Sequence, residues 1–212
     1  MHGDADTRAH VSLTSMSVIR ERVNAKLLDA AHTTTAELFE GRTPSRAAVA
    51  IVLREMADGP QVLLIRRAQR EGDPWSGHMA FPGGREDPDD ESLLATALRE
   101  THEELALDLV EHGRVLGRLG DLPAMARGRR VGMVIAPFVF ELTSETELAY
   151  HPDEVAEALW VPLDPLIRGA LRTTFELDRE GQLVQLPAHD VDGRIVWGLT
   201  YRMLEDLFTL LR

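Results

Sequence analysis

Apolar residues recur with two different periods along this 212-residue chain, and the periods divide it into strands and helices. Ala47 to Arg54 (AAVAIVLR) and Gln61 to Arg67 (QVLLIRR) are short, near-continuous apolar runs rich in branched residues, which predicts two buried strands. Between them Met56-Ala57-Asp58-Gly59-Pro60 carries an Asp-Gly turn signal. Ala68 to His78 reads as a loop punctuated by Gly72, Pro74 and Gly77, and Met79-Ala80-Phe81 leads out of it. Ser92 to Leu105 has the helical period. Val115 to Leu119 is a short strand, Asp121 to Arg130 a loop, and Val131 to Leu142 (VGMVIAPFVFEL) a strong strand with a candidate break at Pro137. Glu154 to Val161 is a further strand and Pro162 to Ile167 starts a short helix. Leu183 to Leu186 and Arg194 to Trp197 read as short strands. Thr200 to Leu210 is an amphipathic helix whose stripe is Tyr201, Leu204, Phe208 and Leu211. At the other end, Ser15 to Glu40 is helix-like, with Thr33-Thr34-Thr35 a candidate interruption, and the residues before it read as a loosely held tail. Strands, a helix, more strands and a late helix make a mixed α/β layered domain.

The helix from Ser92 carries the chemistry. Glu103 and Glu104 flank Glu100 by about 60° and 40° on one face, while Leu94, Leu98 and Leu105 lie toward the opposite face. Like charges one turn apart repel by a few tenths of a kcal/mol even in solvent. A helix needing only solubility would alternate signs, and a divalent cation, which prefers hard oxygen ligands, would remove the repulsion. The bland alternative is a solvated acidic face.

The wider constellation decides between them. Phe81-Pro82-Gly83-Gly84, then Glu91, then Arg99-Glu100-x-x-Glu103-Glu104 closely resembles the Nudix box. Glu91 and Arg99 have the box's seven-residue gap; the spacer from Gly84 to Glu91 is one residue longer than usual. Thr101 stands where an aliphatic residue is usual, and Ala106 replaces the final glycine, which makes a positive φ at the helix exit less accessible. The resemblance implies a Nudix α/β/α sandwich around a mixed β-sheet. Gly41-Arg42-Thr43-Pro44 is a linker signal, which sets residues 1–40 apart as a tail with an accessory helix and leaves 41–212 as the expected hydrolase domain. The resemblance also implies metal-assisted attack of water on a pyrophosphate, with Mg2+ or Mn2+ held by Glu100, Glu103, Glu104 and the backbone of Gly84. Arg99 would orient the glutamates and Glu91 would anchor rather than react. Glu103 or Glu104 can serve as general base; outside the box Glu154 is the first choice, with Glu157 close by.

Composition limits the partners. The net charge is −12, which argues against a polymeric nucleic-acid ligand, since that needs a basic stripe. Small phosphorylated substrates remain open, because metals and a few arginines reverse the sign locally. There are no cysteines, which excludes disulfides and thiolate metal sites and suits a cytoplasmic location. No apolar run approaches bilayer length and the start lacks a signal-peptide pattern. For the helix before residue 40, packing is the favoured role; a homodimer contact or a lid are the others.

The stretch ahead of the box bears on the substrate. Leu63-Leu64-Ile65-Arg66-Arg67-Ala68, a loop, and Gly77-His78-Met79-Ala80-Phe81-Pro82-Gly83-Gly84 resemble the coenzyme A diphosphatase branch of the family, as does Val196-Trp197-Gly198-Leu199-Thr200. Glu71-Gly72 stands where a Leu-Arg pair is usual in that branch, and the loop is one residue longer. The branch implies coenzyme A or acyl-CoA as substrate, cleaved to 3',5'-ADP and phosphopantetheine. Nucleotide sugars, ADP-ribose, dinucleotides and oxidised nucleoside triphosphates are the alternatives within the family, and a non-catalytic nucleotide-binding module the alternative outside catalysis. Arg67, Trp75, His78, Arg129 and Arg130 are the candidate substrate contacts, with Arg127 in the same basic cluster. Trp75 can stack on a base or pack over the cleft.

Overall fold

A computed structural model describes residues 15–27, 39, 43–73, 75–126, 129–179 and 181–212. Its main sheet has eight strands, in the order β3-β2-β1-β7-β5 with three further strands paired to these. The strands are β1 (Ser45–Arg54), β2 (Gln61–Arg67), β3 (Met79–Ala80), β4 (Gly83–Arg85), β5 (Gly113–Arg118), β6 (Leu122–Ala126), β7 (Arg129–Leu142) and β8 (Val155–Pro162). β1 and β7 run parallel, from Ser45 opposite Met133 to Leu53 opposite Glu141. β4 pairs antiparallel with β1 and β8 antiparallel with β2, so the sheet is mixed. A separate three-stranded antiparallel sheet holds β9 (Arg172–Arg179), β10 (Gln182–Val191) and β11 (Arg194–Trp197).

Helices cover both faces of the main sheet. The box helix is α2 (Leu93–Leu105), and α1 (Met16–Leu27) and α5 (Gly198–Leu211) lie on the other side. Two short helices, α3 (Leu109–His112) and α4 (Leu163–Ile167), complete the set among the described residues. The near-continuous apolar runs of β1 and β2 have their cause here. Ala48, Ala50, Val52, Leu63 and Ile65 pack with Leu93, Ala97 and Leu105 of α2. Their alternating neighbours Ile51, Leu53, Val62 and Leu64 pack with Met16, Ile19 and Val23 of α1 and with Leu204, Leu207 and Phe208 of α5. A strand buried on both faces cannot alternate with polar residues. The arrangement is the α/β/α sandwich expected from the box.

Several expectations need adjusting. The loop foreseen over Asp121 to Arg130 is largely the β6–β7 ladder, with Leu122 opposite Ile135 and Ala126 opposite Arg129. β7 runs unbroken through Pro137, whose carbonyl accepts a hydrogen bond from Leu119 N–H at 2.9 Å. Only a donor is lost at proline, and this position keeps its acceptor in use. Strand β9 had no counterpart in the sequence reading, and β10 extends well beyond Leu183 to Leu186. The N-terminal helix ends at Leu27 within the described set; its predicted continuation, the Thr33–Thr35 interruption and the tail before residue 15 lie outside the described residues. No helix of the described residues is long and apolar enough to cross a membrane.

Candidate active site

The glycine turn before α2 is fixed to the sheet by its backbone. Ala48 pairs with Gly84 and Val49 with Gly83, and Ala50 N–H donates to Pro82 O at 2.9 Å. Helix α2 then starts at Ser92, whose hydroxyl accepts from Ala95 N–H at 3.2 Å as a side-chain cap. Its apolar side faces the sheet through Leu93, Ala97 and Leu105, with Leu94 and Leu98 partly buried against the same cluster.

The three glutamates separate by depth. Glu104 turns inward and is buried, and its Oε2 accepts Gly83 N–H at 2.9 Å. Glu100 is largely buried, and its carboxylate presses on Gly84: a Cβ built there would lie 2.4 Å from the carboxyl carbon. Glu103 is the exposed member. Arg99 ties two of them together, donating from Nη1 to Glu100 Oε1 at 2.9 Å and to Glu103 Oε2 at 3.0 Å.

The anchor of Arg99 is not Glu91. Glu91 is exposed, whereas Asp90 takes Arg99 Nε on Oδ1 at 3.0 Å and Nη2 on Oδ2 at 2.9 Å. Asp90 Oδ2 also accepts from Thr96 Oγ1 at 2.8 Å and Asp87 N–H at 2.9 Å, so one carboxylate joins the acidic loop to the helix. The extra residue of the box therefore falls after the anchoring acid. Gly84 and Asp90 keep the usual five-residue spacer, and the gap to Arg99 grows by one.

Burial sets the electrostatics. Desolvation pushes the Glu104 carboxyl up to about 7, opposed by the Gly83 hydrogen bond and Arg67 and reinforced by the charges of Glu100 and Glu154. Desolvation also raises Glu100 against the pull of Arg99, and Glu103 and Glu154 add to the rise. Arg99, hydrogen-bonded to Asp90, holds that carboxyl well below the usual carboxylate range.

Glu154 thus belongs to this acidic group. It sits just ahead of β8, its carbonyl accepts Ala68 N–H at 2.9 Å, and its Oε1 meets Arg70 Nη2 at 3.1 Å. Glu157 turns elsewhere, to Arg194 (Nε at 2.9 Å) and Arg66. Arg67 is held by Asp73 at 2.8 Å, and its N–H donates to His78 O at 3.0 Å. His78 is half-buried against Trp197, and that burial lowers its pKa. Trp75 donates its indole N–H to Met125 O at 2.9 Å and its ring packs on Ala47, Ala124 and Met133. Arg129 and Arg130 open β7 instead of lying in a loop, with side chains outside the described set; Arg127 lies wholly outside it. Sequence reasoning missed Asp90, Asp73 and Arg70. Asp90 was legible in principle, because it keeps the usual spacer from Gly84.

The sequence matches the NUDIX domain over residues 44–182. This chain belongs to the Nudix family. An uncharacterised Nudix hydrolase, NudL, of Yersinia pestis (strain Pestoides F) is 33% identical over 166 residues, which is 78% of this chain and 79% of the relative. An uncharacterised protein of Schizosaccharomyces pombe is 39% identical over 121 residues, or 56% of this chain; the match spans 37% of that relative's length. The crystal structure of a MutT/nudix family protein from Enterococcus faecalis shares the fold with a TM-score of 0.51 at 22% identity, covering 90% of this chain and 71% of that one. By family the chain is an enzyme, a Nudix hydrolase of phosphoric anhydride bonds.

Nudix hydrolases work with divalent metal ions. Among the described residues no three acidic or histidine side chains converge on one point. The donors nevertheless fit such an ion in kind. They are hard carboxylate oxygens, and only a residue without Cβ at position 84 lets Glu100 lie against that backbone. An open cleft of about 640 Å³ lies at the other end of β1, between Arg54, Arg114, Glu141 and Glu147, and contains none of the box residues.

Proposed function

We propose that this Nudix enzyme hydrolyses the pyrophosphate of coenzyme A or its acyl thioesters, releasing 3',5'-ADP and the phosphopantetheine portion, with Mg2+ or Mn2+ as cofactor. The observation that carries the reaction is the gathering of Glu100, Glu104 and Arg99 around the Gly83–Gly84 turn. The choice of substrate is supported by the resemblance of Leu63 to Gly84 to the coenzyme A diphosphatase branch.

Glu100, Glu103, Glu104 and the Gly84 backbone would hold the metal, which when bound neutralises phosphoryl charge and acidifies bound water. Arg99 keeps Glu100 and Glu103 in place and is itself kept in place by Asp90. Glu104, bonded to Gly83, fixes the turn against the helix. Glu154, more exposed than Glu104, would take the proton of the attacking water. Water oxygen then bonds to phosphorus, the bridging P–O bond breaks, and its electron pair leaves with the departing phosphate. Arg67 and His78 would meet the phosphates, since a cation and a ring N–H suit phosphate oxygens.

A panel assay with Mg2+ or Mn2+ against coenzyme A, ADP-ribose, sugar nucleotides and nucleoside triphosphates tests the reading. The expected result is formation of 3',5'-ADP from coenzyme A at the highest kcat/KM of the panel. Preference for another substrate class overturns the specificity. Unchanged turnover and metal dependence in Glu103→Gln overturns the assignment of the box glutamates.

A further inference from the structure

The loop between β2 and β3 reaches across to the start of β8 through Arg70. One edge of its guanidinium spans two consecutive residues: Nε donates to Asp153 O at 2.9 Å and Nη2 to Glu154 Oε1 at 3.1 Å. That edge is the planar fork with which an arginine holds paired acceptors, and a lysine does not reproduce it. Ala68 N–H adds a third bond from the same loop, to Glu154 O at 2.9 Å. Glu154 is thus held at its backbone and at its carboxylate, and its own N–H donates to His151 O at 3.0 Å.

The loop in turn holds Arg70. The Arg70 N–H donates to Ser76 Oγ at 2.6 Å. Asp73 accepts Trp75 N–H on Oδ1 at 3.0 Å and Arg67 Nη2 on Oδ2 at 2.8 Å, which ties the loop back to the end of β2. Trp75 fastens the loop to β6 through its indole N–H, which donates to Met125 O at 2.9 Å. Arg70 therefore extends from a backbone that its neighbours fix on two sides.

Exposure decides what the pair can do. The Arg70 and Glu154 side chains are 49% and 42% exposed, and an ion pair in such solvent contributes roughly 0–1 kcal/mol to folding. Its effect on geometry is larger. Glu154 shares the site with the like charges of Glu100 and Glu104, on both of which its own charge acts. Those carboxylates repel it, and its side chain is long enough to sample several rotamers. Arg70 opposes the repulsion and selects one rotamer, while engaging only one of the two carboxylate oxygens.

We propose that Arg70 is a positioning residue for the reaction: it grips Glu154 Oε1 and so orients the other oxygen to receive the proton of the attacking water. The inference rests on the reading of Glu154 as general base. It does not depend on coenzyme A being the substrate.

The test measures kcat, KM and Tm with saturating Mg2+ in wild type, Arg70→Gln, Arg70→Lys, Glu154→Gln and the double variant Arg70→Gln/Glu154→Gln. The substrate is coenzyme A, or whichever compound of the panel above wild type turns over fastest. Glu154→Gln should lower kcat by about 100-fold or more, the scale of a lost general base. Arg70→Gln should lower kcat by roughly tenfold through misplacement of that base, with KM and Tm unchanged. Arg70→Lys, which keeps the charge and loses the fork, should fall between wild type and Arg70→Gln. In the Glu154→Gln background the Arg70 substitution should have no further effect, because the two residues act as one unit. A kcat at or above wild type in Arg70→Gln, or an undiminished loss in the double variant, overturns the proposal. A raised KM at unchanged kcat also overturns it and makes Arg70 a substrate contact. Full turnover in Glu154→Gln removes the general base and the role of Arg70 with it. Preference for another compound of the panel, with the kcat pattern intact, ends only the coenzyme A reading.

Discussion

Arg99 grips Asp90 through two parallel hydrogen bonds, Nε to Oδ1 at 3.0 Å and Nη2 to Oδ2 at 2.9 Å. The pair is the bidentate kind that fixes orientation as well as distance. Since the same guanidinium holds Glu100 and Glu103, loss of Asp90 would free both glutamates. Asp90→Asn should destabilise the fold by about 2 kcal/mol, the scale of a charge-assisted bond, and lower kcat/KM, while Glu91→Gln should change neither. Denaturant melts and turnover of the two variants decide it; equal effects would return the anchoring role to Glu91. Because Arg99 depresses the Asp90 carboxyl, this stabilisation is complete above the ordinary carboxylate pKa of about 4 and is lost as pH falls below it.

Glu104 gives the opposite pH signature. Its carboxyl stands at about 7 when folded, against an ordinary value of about 4.3 when unfolded. Between those two values the folded state binds more proton than the unfolded state, so stability falls as pH rises through that window and then levels off. The full difference has a ceiling of about 4 kcal/mol. In EDTA, Glu104→Gln should lose this part of the decline between pH 5 and 8, since the amide oxygen can still accept Gly83 N–H. Added Mg2+ at pH 8 should stabilise wild type more than the variant. Urea midpoints at the two pH values measure both effects, and parallel pH curves would refute the assignment.

How much of this was legible in the sequence follows from which interactions are local. The box helix, its cap region and the strands β1 and β2 announce themselves by period, because burial on one or two faces dictates the pattern. The anchoring acid did not, because counting from Arg99 selects Glu91 and counting from Gly84 selects Asp90; only the loop's path shows where the extra residue is absorbed. The β6–β7 ladder was hidden by Pro123 and the basic cluster around Gly128, which read as a loop when no partner strand is in view. Strand β9 (RTTFELDR) is half polar and draws its stability from pairing with β10, a relation that no single segment displays. The involvement of Glu154 depends on the β8 edge meeting the Ala68 loop, again a tertiary fact.

Ala106 closes α2 in the left-handed region, with φ 52° and ψ 26°, while its N–H bonds His102 O. The sequence had suggested that alanine makes this conformation less accessible; the chain adopts it regardless. A side chain there costs roughly 1 kcal/mol relative to glycine. Ala106 is exposed, so Ala106→Gly removes little packing. The variant should gain about 2 °C in Tm with unaltered kcat/KM. A lower Tm would mean that the entropy of glycine in the unfolded chain outweighs the relieved strain.

The two glycines of the turn should fail in different ways. Gly83 has φ 149°, and a Cβ there would lie 2.2 Å from Ala48 O in the neighbouring strand. Neither the backbone angle nor the strand can yield cheaply, so Gly83→Ala should cost about 3 kcal/mol or more of stability. At Gly84 the obstruction is the Glu100 carboxyl group, the far end of a flexible side chain. Gly84→Ala should therefore fold with nearly wild-type Tm but displace Glu100, and a shift of about 1 Å at a reacting centre can cost roughly 100-fold in rate. Thermal melts in EDTA alongside kcat/KM with saturating Mg2+ separate the two outcomes. If both variants lost stability equally and Gly84→Ala kept its rate, Glu100 would not be the carboxylate on which the site depends.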